Sequence, residues 1–110
     1  MSRNAAELLP GTLDLLVLRT LVRGPMHGYG IAERVKEISH DVLRVGESSL
    51  YPALQRLLLD GYVEAEWGTS ENNRRARFYT LTPAGRRQLA AERKAFERVV
   101  TAIQAVLEFA

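Results

Sequence analysis

Apolar residues along this chain change their spacing four times, and each change marks an element. From Leu13 to Val22 they nearly encircle a helix (Leu13, Leu15, Leu16, Val17, Leu18, Leu21, Val22). Thr12 is its expected N-cap, Asp14 suits the positive end of the dipole, and Gly24-Pro25 ends it. Ile31, Val35 and Ile38 then predict a second helix from His27-Gly28-Tyr29-Gly30 to Ser39. A connector, His40 to Gly46, follows, with Gly46 expected at positive φ. A third helix opens at Glu47 or Ser48 and runs to about Asp60, carrying a stripe of Leu50, Leu54, Leu57 and Leu58, with Gly61 as its left-handed cap. Tyr62–Gly68 and Arg77–Thr82 are rich in aromatic and β-branched residues and flank the polar segment Thr69–Ala76, which reads as a hairpin. Thr82-Pro83 restarts a helix, cap first and proline second, that continues almost to the end of the chain.

Helix, helix, helix, hairpin, long helix is a mainly α order with a small β-hairpin. It predicts a winged helix-turn-helix over residues 1–82. Residues 83–110 then form a long C-terminal dimerisation helix packed with the first helix. If the leucine stripe of the third helix faces the core, Ser48, Pro52, Gln55 and Leu59 point away from it, flanked by Ser49, Tyr51 and Arg56. That face offers hydroxyl, amide and guanidinium groups, which suit base edges and phosphates in a major groove about 12 Å wide. Taken alone, the helix favours the reading of an ordinary solvated face. The hairpin adds Arg74, Arg75 and Arg77 beside it, three guanidinium groups in four residues, suited to phosphates and to narrow minor grooves. Tyr29, between two glycines at the start of the second helix, joins this DNA-facing set.

Composition narrows the field without deciding it. The 110 residues suffice for one domain, 46% of them hydrophobic, and the net charge of +2 is too slight to imply nucleic-acid binding by itself. Without cysteine there are no disulfides, thiolate metal sites or Cys nucleophiles, which fits a reducing cytoplasm. The start, Met1-Ser2-Arg3-Asn4, leads into a helical pattern without the apolar core of a signal peptide, and no stretch is apolar enough to span a bilayer. His27 and His40 have no metal-ligand companions and read as helix-boundary residues, while Gly28-Tyr29-Gly30 is too short for a nucleotide fingerprint. Ser48-Ser49 lacks a His-Asp arrangement. No catalytic residue, cofactor or metal is expected. Trp67, alternating with Val63 and Ala65, is expected to pack at the base of the wing.

Several segments, in order, resemble the PadR family of bacterial transcriptional regulators. Gly11-Thr12-Leu13-Asp14-Leu15-Leu16-Val17-Leu18 and His27-Gly28-Tyr29-Gly30-Ile31 match its opening. Ser49-Leu50-Tyr51-Pro52-Ala53-Leu54-Gln55-Arg56-Leu57, then Asp60-Gly61-Tyr62-Val63, and finally Arg75-Ala76-Arg77-Phe78-Tyr79-Thr80-Leu81-Thr82-Pro83-Ala84-Gly85 complete the match. The resemblance implies a winged-helix repressor that binds palindromic operators as a homodimer. Carried over by position, Ser49, Tyr51, Pro52, Gln55 and Arg56 occupy the reading helix, and Arg74, Arg75 and Arg77 the wing. A single C-terminal helix resembles the shorter members of the family.

Dimerisation also follows from the pattern. The last helix has about 26 residues, roughly 39 Å at a rise of about 1.5 Å, longer than so small a head needs. Leu89, Phe96 and Ile103 recur on one seam, with Val99, Val100 and Leu107 between, and Leu16 on the over-apolar first helix joins them as candidate interface. Two-fold symmetry predicts reading helices roughly 34–36 Å apart on a palindrome. Two other activities fit the same fold. One is a switch driven by a small flat aromatic effector at the dimer interface, as the resemblance suggests. The other is a winged helix that contacts proteins and never DNA.

Overall fold

A computed structural model describes residues 11–109; the helical pattern expected from the first residues lies outside them. Helix α1 (Thr12–Thr20) is followed by a 3-10 turn (Leu21–Arg23) and a two-residue strand β1 (Met26–His27). Helices α2 (Gly28–Ile38) and α3 (Glu47–Leu59) come next, then strands β2 (Val63–Thr69) and β3 (Arg75–Leu81) and helix α4 (Pro83–Glu108). The order is the expected one, with a strand added. β1 pairs antiparallel with β3, Met26 opposite Tyr79 and His27 opposite Phe78, so the wing is a three-stranded sheet ordered β1-β3-β2. Two residues carry no readable period, so β1 exists only because β3 lies beside it.

Element ends follow their residues with three corrections. Gly11, not Thr12, is the N-cap of α1, at φ 87°. Gly46 caps α3 with extended backbone at φ −82°, so it supplies no positive φ. The left-handed residues of that connector are His40 and Asp41, at φ 54° and 69°, where α2 closes with a bond from the Asp41 N–H to the Lys36 carbonyl. Gly61, at φ 78°, terminates α3 as expected. The Tyr62 N–H bonds back to Leu57 and the Gly61 N–H to Leu58, the paired bonds of a Schellman cap. The third correction lies in the wing, where β3 begins at Arg75 rather than Arg77 and β2 runs to Thr69, shortening the loop between them.

The core fills the angle between α1, α2, α3 and the sheet. Val17, Leu18, Leu21, Ile31, Leu50, Leu54, Leu57 and Val63 are each no more than 2% exposed, and Tyr79 and Leu81 close the sheet side. The leucine stripe of α3 therefore faces inward, joined by Ala53. Thr82 ties the start of α4 to this core. Its hydroxyl accepts from the Gly85 N–H (3.0 Å) and donates to the Gly61 carbonyl (2.7 Å), while its own N–H bonds to Tyr62 (3.1 Å). Gly85 is buried so closely that a methyl group there would collide with the Tyr62 carbonyl oxygen and Leu81. Beyond that anchor α4 packs along α1 and then runs on with its apolar residues exposed.

Candidate nucleic-acid interface

The inward stripe leaves Ser48, Ser49, Pro52 and Gln55 exposed on the opposite side of α3, with no carboxylate between Glu47 and Asp60. Pro52 lies inside the helix and has no N–H, so the Ser48 carbonyl lacks its usual partner four residues on.

Two residues expected on this face have other neighbours. Tyr51 is half-exposed and its ring lies over the first turn of α2. A Cβ on Gly28 would stand 2.7 Å from the Tyr51 hydroxyl oxygen. Without a side chain, Gly28 leaves room for the ring, so Tyr51 packs against α2 as well as bordering the exposed face. Partial burial, with Glu47 and Tyr79 nearby, raises its pKa above the ordinary value near 10, and the hydroxyl keeps its proton as a donor. Arg56 turns toward α1, where its guanidinium donates to Asp14 at 2.9 Å. Nothing in its sequence spacing signals that partner, which lies 42 residues away.

His27 stands where the head meets the wing, paired with Phe78 through the β1–β3 ladder. Its Nδ1 accepts from the Gly30 N–H (3.0 Å), capping α2, and its Nε2 stands 3.8 Å from a Glu71 carboxylate oxygen in the wing turn. Phe78 meets the imidazole edge-on, with ring centroids 5.3 Å apart. The boundary role expected of His27 is the observed one; its reach to Glu71 was not legible. Tyr29, beside it, is 64% exposed at the mouth of the cleft between α2 and the wing.

Arg75 and Arg77 alternate along β3 with Ala76 and Phe78, so both lie on the sheet face that carries Tyr79 and Leu81 toward the core. Arg74 sits in the turn, which closes through Ser70 and left-handed Asn73. Among the described residues no carboxylate lies within ion-pair distance of these three guanidinium groups. Trp67 is not packed at the wing base. It is 58% exposed, and the Arg75 guanidinium lies 4.5 Å from its ring centroid.

The candidate interface residues form a second region. Leu16 and Leu89 are partly buried where α1 meets α4, and Leu89 packs against the core of its own chain. Phe96, Val99, Val100 and Ile103 border an apolar groove of about 320 Å³ with Thr12 and Leu15, and Leu107 lies beyond it, exposed. No described helix is long and apolar enough to cross a membrane.

Three helices, an exposed polar third-helix face and an arginine-bearing three-stranded wing define a winged helix-turn-helix protein. Residues 17–91 match the family model described as the transcriptional regulator PadR-like family. A transcriptional regulator of Mycobacterium tuberculosis is 33% identical over 93 residues, covering 84% of this chain and 83% of its own. Among solved structures, a transcriptional regulator from Clostridium thermocellum superposes with a TM-score of 0.79 at 26% identity, over 86% of this chain and 92% of that one. Bacillus subtilis PadR in complex with operator DNA superposes at 0.65 with 26% identity, over 73% of this chain and 45% of that chain. The chain belongs to the PadR-like family of transcriptional regulators.

Proposed function

We propose that this protein represses transcription by binding a palindromic double-stranded operator as a homodimer in the cytoplasm, through binding and not catalysis. The observation that carries this reading is the pairing of two surfaces. The α3 face of Ser48, Ser49, Pro52 and Gln55 is exposed and without acids beyond Glu47, and the wing that follows α3 holds Arg74, Arg75 and Arg77 outside any ion pair among the described residues. The first suits base edges in a major groove, the second phosphates and a minor groove. The Bacillus subtilis neighbour is itself in complex with operator DNA, which supports DNA as the partner. Tyr29 and Tyr51 border this surface. Arg56 reaches DNA only by leaving Asp14. The second copy covers the distal half of α4, where Phe96, Val99, Ile103 and Leu107 are exposed and Val100 is half-buried.

Selection of bound duplexes from a random pool at near-physiological salt tests this. A palindrome with half-sites about one helical turn apart is the expected result, and absence of any enriched sequence would overturn it. Gln55→Ala should then lose discrimination at one base position, about 1–3 kcal/mol. Arg74→Ala should weaken all duplexes alike and flatten the salt dependence by about one counterion.

The apolar groove between α1 and α4 favours a second activity, release of DNA by a flat aromatic effector. Trp67 stands on the wing, away from that groove, so calorimetric titration is the direct assay and tryptophan quenching is not. No heat across a panel of flat aromatic compounds would overturn the effector reading.

A further inference from the structure

Trp67 is the only tryptophan of the chain, yet more than half of it faces solvent. Burial does not account for a large aromatic residue in that position. Its neighbours do. Trp67 pairs directly with Arg77 across the β2–β3 ladder, and Thr69 pairs with Arg75, which places Arg75 on the diagonal of Trp67 on the same face. Arg75 is the one whose guanidinium lies over the indole, 4.5 Å from its centroid. The two carboxylates of β2, Glu64 and Glu66, alternate onto the opposite face, and Glu71 lies 3.8 Å from the His27 imidazole.

From this geometry we propose that Trp67 is a positioning residue of the wing, holding Arg75 in place for the DNA backbone without neutralising it. The inference rests on the DNA-binding reading above. An ion pair would also restrain an arginine, but it would cancel the charge that attracts phosphate. An indole face attracts the cation through its quadrupole and leaves both the net charge and the in-plane N–H donors available. An arginine already restrained loses less side-chain freedom when it meets a phosphate. Arg77 and Arg74, without such a platform, contribute charge but not a preset geometry. Trp67 therefore acts on affinity through Arg75, with no effect on which bases are read.

The test is a double-mutant cycle on a mixed-sequence duplex, titrated by fluorescence anisotropy between about 50 and 200 mM salt, so that no knowledge of the operator is needed. Trp67→Ala should weaken binding about three- to fivefold with the salt slope unchanged, because no charge has been removed. Arg75→Ala should weaken it further and lower the slope by about 0.9. In the Arg75→Ala background, Trp67→Ala should have no added effect. Trp67→Phe, which keeps an aromatic face, should restore at least half of the loss, and unchanged thermal melts would separate positioning from folding. Additive single effects, or a Trp67→Ala protein that binds like the parent, would overturn the inference while leaving the DNA-binding reading standing. A parent protein with no salt-dependent duplex affinity would overturn both.

Discussion

The two ends of α4 carry similar residues under opposite conditions. At its start the helix is pressed onto the head so closely that Gly85 has no room for a methyl group, and Leu89 packs against the core. Past Phe96, Val99, Ile103 and Leu107 are 48–77% exposed, although they repeat the same apolar spacing. A helical stripe states only that some surface will cover it. Position along the helix decides whether that surface belongs to the same chain, because the head reaches only as far as its own elements extend. The near end is therefore a matter of folding, and the far end is left to the association proposed above.

The sharpest way to break this contrast is Gly85→Ala. The added methyl meets backbone, which cannot rotate away, so the variant should lose about 3 kcal/mol in urea unfolding. Ile103→Asp probes the other end. It should weaken self-association by about 2 kcal/mol for each copy of the residue, read by analytical ultracentrifugation, while the helical circular dichroism of the protomer persists. A dimer that withstands this change would place the interface elsewhere. Thr82→Ala removes the cap that anchors the near end and should lower stability by about 1 kcal/mol in the same unfolding assay. The smallest effect is expected from Asp14→Ala. The Arg56 pair it breaks is more than half exposed on the arginine side, so stability should change by no more than about 0.5 kcal/mol. Freed from Asp14, Arg56 should strengthen non-specific duplex binding slightly, which a salt titration would detect.

Most of the framework was legible because it depends on local rules. Three helices, a hairpin and a long helix follow from changes of hydrophobic period. Gly61 and Thr82 take the cap roles that their chemistry favours, since capping involves residues only a few positions apart. The candidate interface was readable in the same way: once Leu50, Leu54 and Leu57 face inward, helix geometry turns Ser48, Pro52 and Gln55 outward. Gly46 was misread because a glycine between helices serves equally well as an extended N-cap, and the choice depended on where α2 ended.

What the sequence by itself determined is the four helices and the hairpin, most of their ends, which faces are apolar and where the arginines cluster. These properties belong to residues within a turn or two of each other. Tertiary structure alone decided the partners. It formed β1 beside β3, laid Tyr51 over Gly28, tied Arg56 to Asp14 and His27 to Glu71, and left Trp67 in solvent beneath Arg75. Each of these contacts, apart from the wing's own Trp67–Arg75 pair, joins elements far apart in the chain. No periodicity encodes such a meeting, because it depends on the angles at which packed helices and a twisted sheet bring their side chains together.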